Sequence, residues 1–483
     1  MKTKKVLLGI FAVILALTFT ACGYDTVSSG CAHQWSEWEV IKEPNNSNEG
    51  ERTRTCAKCS EDEVNIILAQ TPGLLFTLIN NNTAYSVSLG TATATEIIIP
   101  AVYNGLPVIE IENGGFYDSA MTSILIPNSV TSIGHEAFSG CVALTSITIP
   151  ASVTSIGFAF QYTGLESVTV DSGNTVYRSE GNCIIEISNN TLIAGFKNSV
   201  IPLGVTSIGV GAFYACIGLT SITIPDSVTS IGDYAFSYCT DLTSITIPNG
   251  VTSIGGFAFN YCSGLTNITI PDSVTSIGGN AFSNCTGLTN ITIPDSVTSI
   301  GIFAFAGCTG LTNITIPASV TSIGNSAFSR CTGLESITVD SGNAVYRSEE
   351  NCIILRADNV LIHGFNNGVI PDSVTSIGDF AFFNFIGLTS ITIPDSVISI
   401  GSYAFSYWPL TSITIPDSVT SIGSGAFAWT GLTSVTLGTI AETNFGTYIP
   451  FPGNLRDVYF ADGGGAGTYT TTNPGDNATW TKQ

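Results

Sequence analysis

From Leu219 to Leu334 apolar and polar positions return with a fixed period, the leading residues being Leu219, Leu242, Leu265, Leu288, Leu311 and Leu334, 23 residues apart. Each opens a septet such as Leu242-Thr-Ser-Ile-Thr-Ile-Pro248 or Leu265-Thr-Asn-Ile-Thr-Ile-Pro271. Within a septet the first, fourth and sixth places are apolar and the others polar, which predicts a short strand with one buried and one solvated face. The closing proline, lacking an N–H for the ladder, ends the strand. Constant spacing between near-identical units predicts coils that stack and superimpose, so the core is one continuous column.

Each septet is followed by Val-Thr-Ser-Ile-Gly and then Ala-Phe. The glycines Gly232, Gly255, Gly278, Gly301 and Gly324 are expected to adopt positive φ in a turn. Phe236, Phe259, Phe282, Phe305 and Phe328 are expected to stack as a buried spine. Cys216, Cys239, Cys262, Cys285, Cys308 and Cys331 also recur once per coil, after an earlier Cys141. Counting back from the leading leucine, Tyr162, Phe385 and Trp429 take the same place elsewhere, so the position asks for burial and not for metal ligation. Disulfides between adjacent coils are disfavoured, because side chains about 4.8 Å apart in register sit wider than a relaxed disulfide prefers.

Two insertions resemble each other at constant separation: Val170-Asp171-Ser-Gly-Asn174 through Tyr177 to Cys183, and Val339-Asp340-Ser-Gly-Asn343 through Tyr346 to Cys352. A block of several coils has therefore been duplicated whole. Turn residues such as Ser188-Asn-Asn-Thr191 between apolar runs predict a hairpin or an enlarged coil for each insert. Such a feature reads as a tolerated surface insertion or as a recognition element. The repeat fades at Gly438, after which a covering segment over Thr436–Phe460 and a Gly/Thr-rich tail close the chain.

The first residues carry a different signal. Lys2, Lys4 and Lys5 precede an apolar run from Val6 to Leu17, which is too short for a good membrane span and reads as an export segment. Thr20-Ala21-Cys22 resembles the lipobox of bacterial lipoproteins, with Phe19 in place of the usual leucine; the resemblance implies cleavage and lipidation of Cys22, ordinary secretion being the alternative. The reading divides the chain into residues 1–21 (signal peptide), 22–72 (stalk and small Cys/His module), 73–437 (repeat array with inserts near 171–201 and 340–370) and 438–483 (cap and tail).

Composition changes this picture in two places. Only 10% of residues are charged and the net charge is −22, an acidity that repels phosphate backbones and excludes nucleic acid as a natural partner. Thirteen cysteines leave several outside the ladder, and Cys31, His33, Cys56 and Cys59 form a C-x-H pair and a C-x-x-C knuckle. Three thiolates and one imidazole are the ligand count of a closed structural zinc site, which predicts a small zinc-ribbon-like module; a disulfide among the same cysteines is the competing use. No cofactor is expected in the array itself.

The recurring Leu-x-x-Ile-x-Ile-Pro, Val-x-x-Ile-Gly, Ala-Phe and Cys, as in Leu219 to Cys239, resemble the BspA-like, or treponemal-type, leucine-rich repeats of bacterial surface proteins. The resemblance covers roughly Leu74 to Leu437. It implies a β-rich, right-handed leucine-rich-repeat solenoid with short parallel strands and irregular or short helical turns. It also implies adhesion to host matrix or surface proteins or to other bacterial cells, and it brings no catalytic residues. The shortened coil at Trp408-Pro409-Leu410 departs from the pattern and is expected to bend the array locally.

On this reading the protein is an exported, non-enzymatic binding scaffold at the cell surface or outer membrane, touching the membrane only through its lipid. The outward Thr243, Ser244, Thr246, Thr266, Asn267 and Thr269 would be its binding face. A spacer without a specific ligand is the alternative. An enzyme is remote: His33, His135 and His363 lie in unrelated contexts, and Asp226, Asp272 and Asp295 recur as turn residues after proline.

Overall fold

The computed structural model describes residues 70–364, 369–385, 390–461 and 464–483, together with the backbone of three strands nearer the N-terminus. Those strands, Glu39–Lys42, Gly50–Thr55 and Asp62–Ile67, form an antiparallel sheet with Gly50–Thr55 in the middle. They belong to a separate unit that ends at Gln70. Cys22, Cys31, His33, Cys56 and Cys59 lie outside the described residues.

From Thr71 onward the unit is a solenoid built almost wholly from strands and turns. Each coil has three sides, and each side hydrogen-bonds to its neighbours. The first is the leucine septet: Ser244–Thr246 pairs in parallel with Asn267–Thr269, Ser244 opposite Asn267 and Thr246 opposite Thr269. The second is the Ser-Ile pair before the glycine, which forms a longer parallel ladder of two-residue strands, Ser276 opposite Ser299 and Ile277 opposite Ile300. Thus two parallel ladders of short strands run along the array.

The third side is the turn. Its N–H groups reach the next coil, with Tyr234 N–H on Gly256 O, Phe236 N–H on Ala258 O and Tyr238 N–H on Asn260 O at 2.7–2.9 Å. Side chains from all three sides meet in the column between them. Leu242, Ile245, Val251, Ile254, Phe259 and Cys262 are all at most 4% exposed. The phenylalanine spine forms as expected: successive rings from Phe236 to Phe282 stack at 5.4 Å and within 3° of parallel.

The glycine expectation is corrected. Gly232, Gly255, Gly278, Gly301 and Gly324 are absent from the residues with positive φ. They are needed for closeness instead: a Cβ on Gly278 would lie 2.7 Å from the carbonyl carbon of Gly255 in the preceding coil. The left-handed positions fall two and six residues later, on Tyr234 and Tyr238 (φ 59° and 60°), Phe257 and Tyr261 (56° and 57°), and Asn280 and Asn284 (55° and 59°). Asparagine tolerates that region, whereas an aromatic residue there costs on the order of 1–2 kcal/mol. Stacking across coils offsets the cost, with Tyr234 on Phe257 at 4.7 Å and Tyr238 on Tyr261 at 4.6 Å.

The inserts are structural partitions and not simple protrusions. Tyr177–Glu180, Cys183–Glu186 and Thr191–Gly195 form an antiparallel meander whose last strand joins the Ser-Ile ladder in parallel. Cys183, Ile184 and Ile185 are fully buried, with Ile184 in the core on the N-terminal side and its two neighbours in the core that follows. The second copy repeats this with Cys352, Ile353 and Ile354. Buried Asn174 and Asn343 fasten each insert to the coil before it. Asn343 Nδ2 donates to Pro317 O and Val320 O, while its Oδ1 accepts from Val345 N–H and Tyr346 N–H, all within 2.9 Å. The hydroxyls of Tyr177 and Tyr346 cap the exposed ladder edge by accepting from Ile156 N–H and Ile323 N–H.

Through the shortened coil at Trp408 the Ser-Ile ladder stays in register, Ser399 opposite Ser421. At the C-terminus Ser434–Leu437 pairs antiparallel with Gly467–Thr470, and that strand with Thr481–Lys482, so the tail extends the sheet. Trp480 plugs the open end of the column, its indole N–H donating to Pro452 O at 2.8 Å.

Candidate binding face and cysteine ladder

The septet strands expose every second side chain because the pleat alternates, and all six residues chosen from the sequence lie on that outer surface. Thr243, Ser244, Thr246, Thr266, Asn267 and Thr269 are exposed, while Ile245 and Ile268 between them are 4% exposed. Parallel register brings chemically similar groups into rows along the array. The rows differ in what their polar atoms are free to do. Thr243 Oγ1 donates to Thr220 O and Thr266 Oγ1 to Thr243 O, at 3.1 and 3.2 Å, so these hydroxyls tie coil to coil. The row through Thr246 and Thr269 lies beyond those ties, on the strand surface.

The cysteines sit against backbone of the coil before them. Sγ of Cys239, Cys262 and Cys285 donates to the carbonyls of Phe213, Phe236 and Phe259 at 2.9–3.1 Å. Burial holds every such thiol protonated: it pushes Cys285 and Cys331 up to about 12 and Cys239, Cys262 and Cys308 well above the ordinary value of 9.0. The cysteines among the described residues are free thiols. A native thiol in this ladder is therefore expected to resist iodoacetamide at pH 8 and to react on unfolding, as read by peptide mass mapping. Because the folded pKa values are raised, the stability these thiols contribute is complete below about pH 9 and declines as the pH climbs toward 12. A thermal melt series over that window should show the fall.

Two of the aromatic replacements in the cysteine column are corrected. Phe385 does occupy the buried place, and so does Trp408. At the shortened turns, however, Thr163 and Thr430 fill it, each 8% exposed or less and donating through Oγ1 to the carbonyl of Phe160 or Phe427. Tyr162 and Trp429 take the preceding left-handed position and face outward. The packing role of the column stands, since Cys, Phe, Trp and Thr all serve in it.

The outward aromatic positions had not been singled out from the sequence. Around Tyr214 they gather into a surface cluster, with Tyr162, Tyr234, Tyr238 and Phe158 at ring distances of 5.3–6.4 Å. A second cluster joins Phe380, Phe383, Tyr403, Tyr407 and Trp429. Part of their signal was present as aromatic residues two and six places after the coil glycine, as at Tyr234, Tyr238, Phe380, Tyr403, Tyr407 and Trp429, while Tyr162, Tyr214 and Phe383 fall at the fifth place.

The histidines do not converge. His135 is exposed and accepts Phe158 N–H on Nδ1, while His363 is buried and held neutral, burial lowering it to about 4. Among the described residues no three His, Cys, Asp or Glu side chains are grouped to hold a metal, and no helix is long and apolar enough to cross a membrane.

Residues 109–193, 191–301, 252–353 and 363–461 match the BspA type leucine-rich repeat region. The chain belongs to that family. Solved structures similar to this BspA-type chain include a leucine-rich cell surface protein from Faecalibacterium prausnitzii A2-165, 29% identical over 76% of this chain and 86% of that one, TM-score 0.35. A leucine-rich repeat protein from Bacteroides ovatus ATCC 8483 is 26% identical over 79% and 90%, TM-score 0.40. The pneumococcal vaccine antigen PcpA is 17% identical over 70% and 93%, TM-score 0.38. No curated protein matches the chain.

Proposed function

We propose that this BspA-type chain is a cell-surface scaffold that binds proteins of a host matrix or of other bacteria through many weak, equivalent contacts along its septet face. The observation that carries the reading is the in-register repetition of exposed Ser, Thr and Asn, as in Ser244 opposite Asn267 and Thr246 opposite Thr269. On a weakly charged surface with repeating rows the strength is avidity: each added coil raises the effective concentration of the next contact. Lipid tethering through Cys22 and a zinc-holding module of Cys31, His33, Cys56 and Cys59 would place the array outside the envelope.

The test is binding of the purified chain to a panel of matrix proteins and whole bacteria. Thr246→Lys with Asn267→Lys puts charges on diagonal neighbours and avoids like charges directly opposite. Binding is expected to fall about ten-fold and to fall further with each additional coil substituted, while the melting temperature holds. Inter-coil ties such as Thr243 Oγ1 to Thr220 O favour a second reading, a spacer that uses its threonines for itself. Silence of the unsubstituted protein across the whole panel would select it.

A further inference from the structure

The first insert brings together aromatic side chains from turns that it separates in the chain. Phe158 belongs to the turn before the insert, Tyr214 and Tyr234 to turns after it, yet Phe158 lies 5.3 Å from Tyr214 and Tyr214 6.3 Å from Tyr234, ring to ring. Phe158 reaches across because it lies against Gly211, which has no side chain to exclude it. In an ordinary run of coils the outward rings stack face to face, as Tyr234 does on Phe257 at 4.7 Å and 7°. Across the insert the planes cross at 62° for Phe158 and Tyr214 and at 57° for Tyr214 and Tyr234, so these rings do not cover one another.

A shallow cleft of about 380 Å³ lies among them. Phe158, Tyr214, Tyr234 and Val210 wall it, His135 and Glu136 are its exposed polar residues, and the buried Gln161 completes the lining. Its charge is one-sided. No lysine or arginine lines it. The ion pairs among the described residues are Arg178–Glu180, Lys197–Glu166, Arg347–Glu349 and Arg456–Glu442, so Glu136 has no cationic partner among them. His135 accepts Phe158 N–H on Nδ1 at 3.2 Å, the arrangement of a neutral imidazole. Burial, and after it the nearby Tyr162, Tyr238, Tyr234 and Glu136, push Tyr214 up to about 12, so its phenol keeps its proton.

The second insert is built differently at the same place. Phe383, Tyr403 and Tyr407 correspond to Tyr214, Tyr234 and Tyr238, at the separation that relates the inserts themselves. Two places after the coil glycine, however, Glu136 is replaced by Phe303, whose ring lies 6.2 Å from Phe383. The left-handed Tyr162 gives way to the left-handed Arg330. Asp379 stands in the place of Val210, and its carboxylate already accepts Ser402 N–H at 2.6 Å. Of the two clusters, the first joins uncovered rings to a carboxylate that has neither an ion pair nor a hydrogen bond among the described residues.

That combination suits a cation that also donates hydrogen bonds. An anion is repelled by Glu136. A neutral sugar leaves the carboxylate's charge uncompensated. A quaternary ammonium gains the ring faces but has no N–H for Glu136 or for the tyrosine hydroxyls. A guanidinium answers all of these features, being planar, weakly hydrated, stacked readily on aromatic rings and supplied with five N–H donors. The net charge of −22 draws cationic partners toward the chain in the same direction.

We propose that the cleft of Phe158, Tyr214, Tyr234 and Glu136 receives an arginine side chain of a partner protein, its guanidinium lying against the rings and donating to the Glu136 carboxylate. The proposal rests on the protein-binding reading and gives it a singular contact beside the repeated ones. Arginine is one of the three residue types that dominate the energetics of protein interfaces.

The test uses the full chain and free probes, so it is independent of any partner: acetyl-Gly-Arg-Gly-amide, its lysine and citrulline counterparts, choline and N-acetylglucosamine, each titrated by saturation-transfer NMR. The arginine probe is expected to bind about ten-fold more tightly than the citrulline probe, which has its shape without its charge, and about three-fold more tightly than the lysine probe or choline, with no saturation of the sugar. Glu136→Gln, a change at an exposed side chain, should bring the arginine probe down to the citrulline level at an unchanged melting temperature. Tyr214→Leu should weaken all the cations, and Phe383→Leu, in the other cluster, should weaken none. Diffuse attraction to an acidic surface would instead leave Glu136→Gln binding like the parent. That result, equal binding of arginine and citrulline, choline or the sugar binding more tightly than arginine, loss of binding in a folded Phe383→Leu variant, or no arginine binding to the parent chain would overturn the proposal. Each of those results can occur whether or not the parent chain binds the matrix panel, so the two readings fail separately.

Discussion

Gly278→Ala is expected to destabilise the solenoid by about 3 kcal/mol, whereas Gly279→Ala, one residue on, should change stability by less than about 0.5 kcal/mol. Neither glycine has positive φ, so backbone strain does not separate them. The distinction is space. At Gly278 a methyl group would meet Gly255 C and Gly256 N of the preceding coil at 2.7 Å, and these are backbone atoms with nowhere to go. At Gly279 the nearest atom is Ile302 O at 3.4 Å, an ordinary contact. Because each coil rests on its neighbours, the damage at Gly278 should spread to the adjoining coils before it reaches the ends of the array. Hydrogen exchange would show it as lost protection of Gly278 N–H on Ile254 O and of Gly301 N–H on Ile277 O. Equal melting of the two variants would remove the close-approach explanation.

Phe282→Ala is expected to cost about 3–5 kcal/mol and to divide the array into two less coupled halves. Phe282 is fully buried and stacks on Phe259 and Phe305, both at 5.4 Å. Truncation removes its own burial and both ring contacts, and the rigid inter-coil hydrogen bonds, such as Phe282 N–H on Ala304 O, hold the cavity open. Denaturant unfolding should broaden into two steps as well as shift, since nearest-neighbour coupling is what makes an array melt as one. Phe282→Leu fills most of the volume and should recover most of the loss.

Much of this architecture was legible in the chain because the repeat states each instruction many times. Period-two alternation in the septets gave the strand faces, and five spaced phenylalanines with six spaced cysteines gave the core column. Errors arose where the instruction was shortened. Counting back from Leu165 and Leu432 put Tyr162 and Trp429 in the core, but the deletion falls on the leucine side of the column, and small buried Thr163 and Thr430 can satisfy their hydroxyls on the turn carbonyls. The coil glycines were assigned a φ when they serve contact distance, because an isolated sequence does not show what lies 2.7 Å above it. The inserts read as surface additions since their polar turns are conspicuous. Cys183-Ile-Ile185 became a partition only when core formed on both of its faces.

By itself, the sequence determined the coil: its length, its buried and outward faces, its proline stops and the duplication of the block around Tyr177 and Tyr346. These follow from local patterning, which acts residue by residue and needs no knowledge of neighbours. Only the tertiary structure decided how the coils meet. It assigned closeness to Gly278, brought the left-handed Tyr234 and Phe257 into a stack, and set Cys183-Ile-Ile185 between two cores. The physical reason is that these features depend on distances between residues one or more coils apart, and such distances exist only after the array has closed on itself.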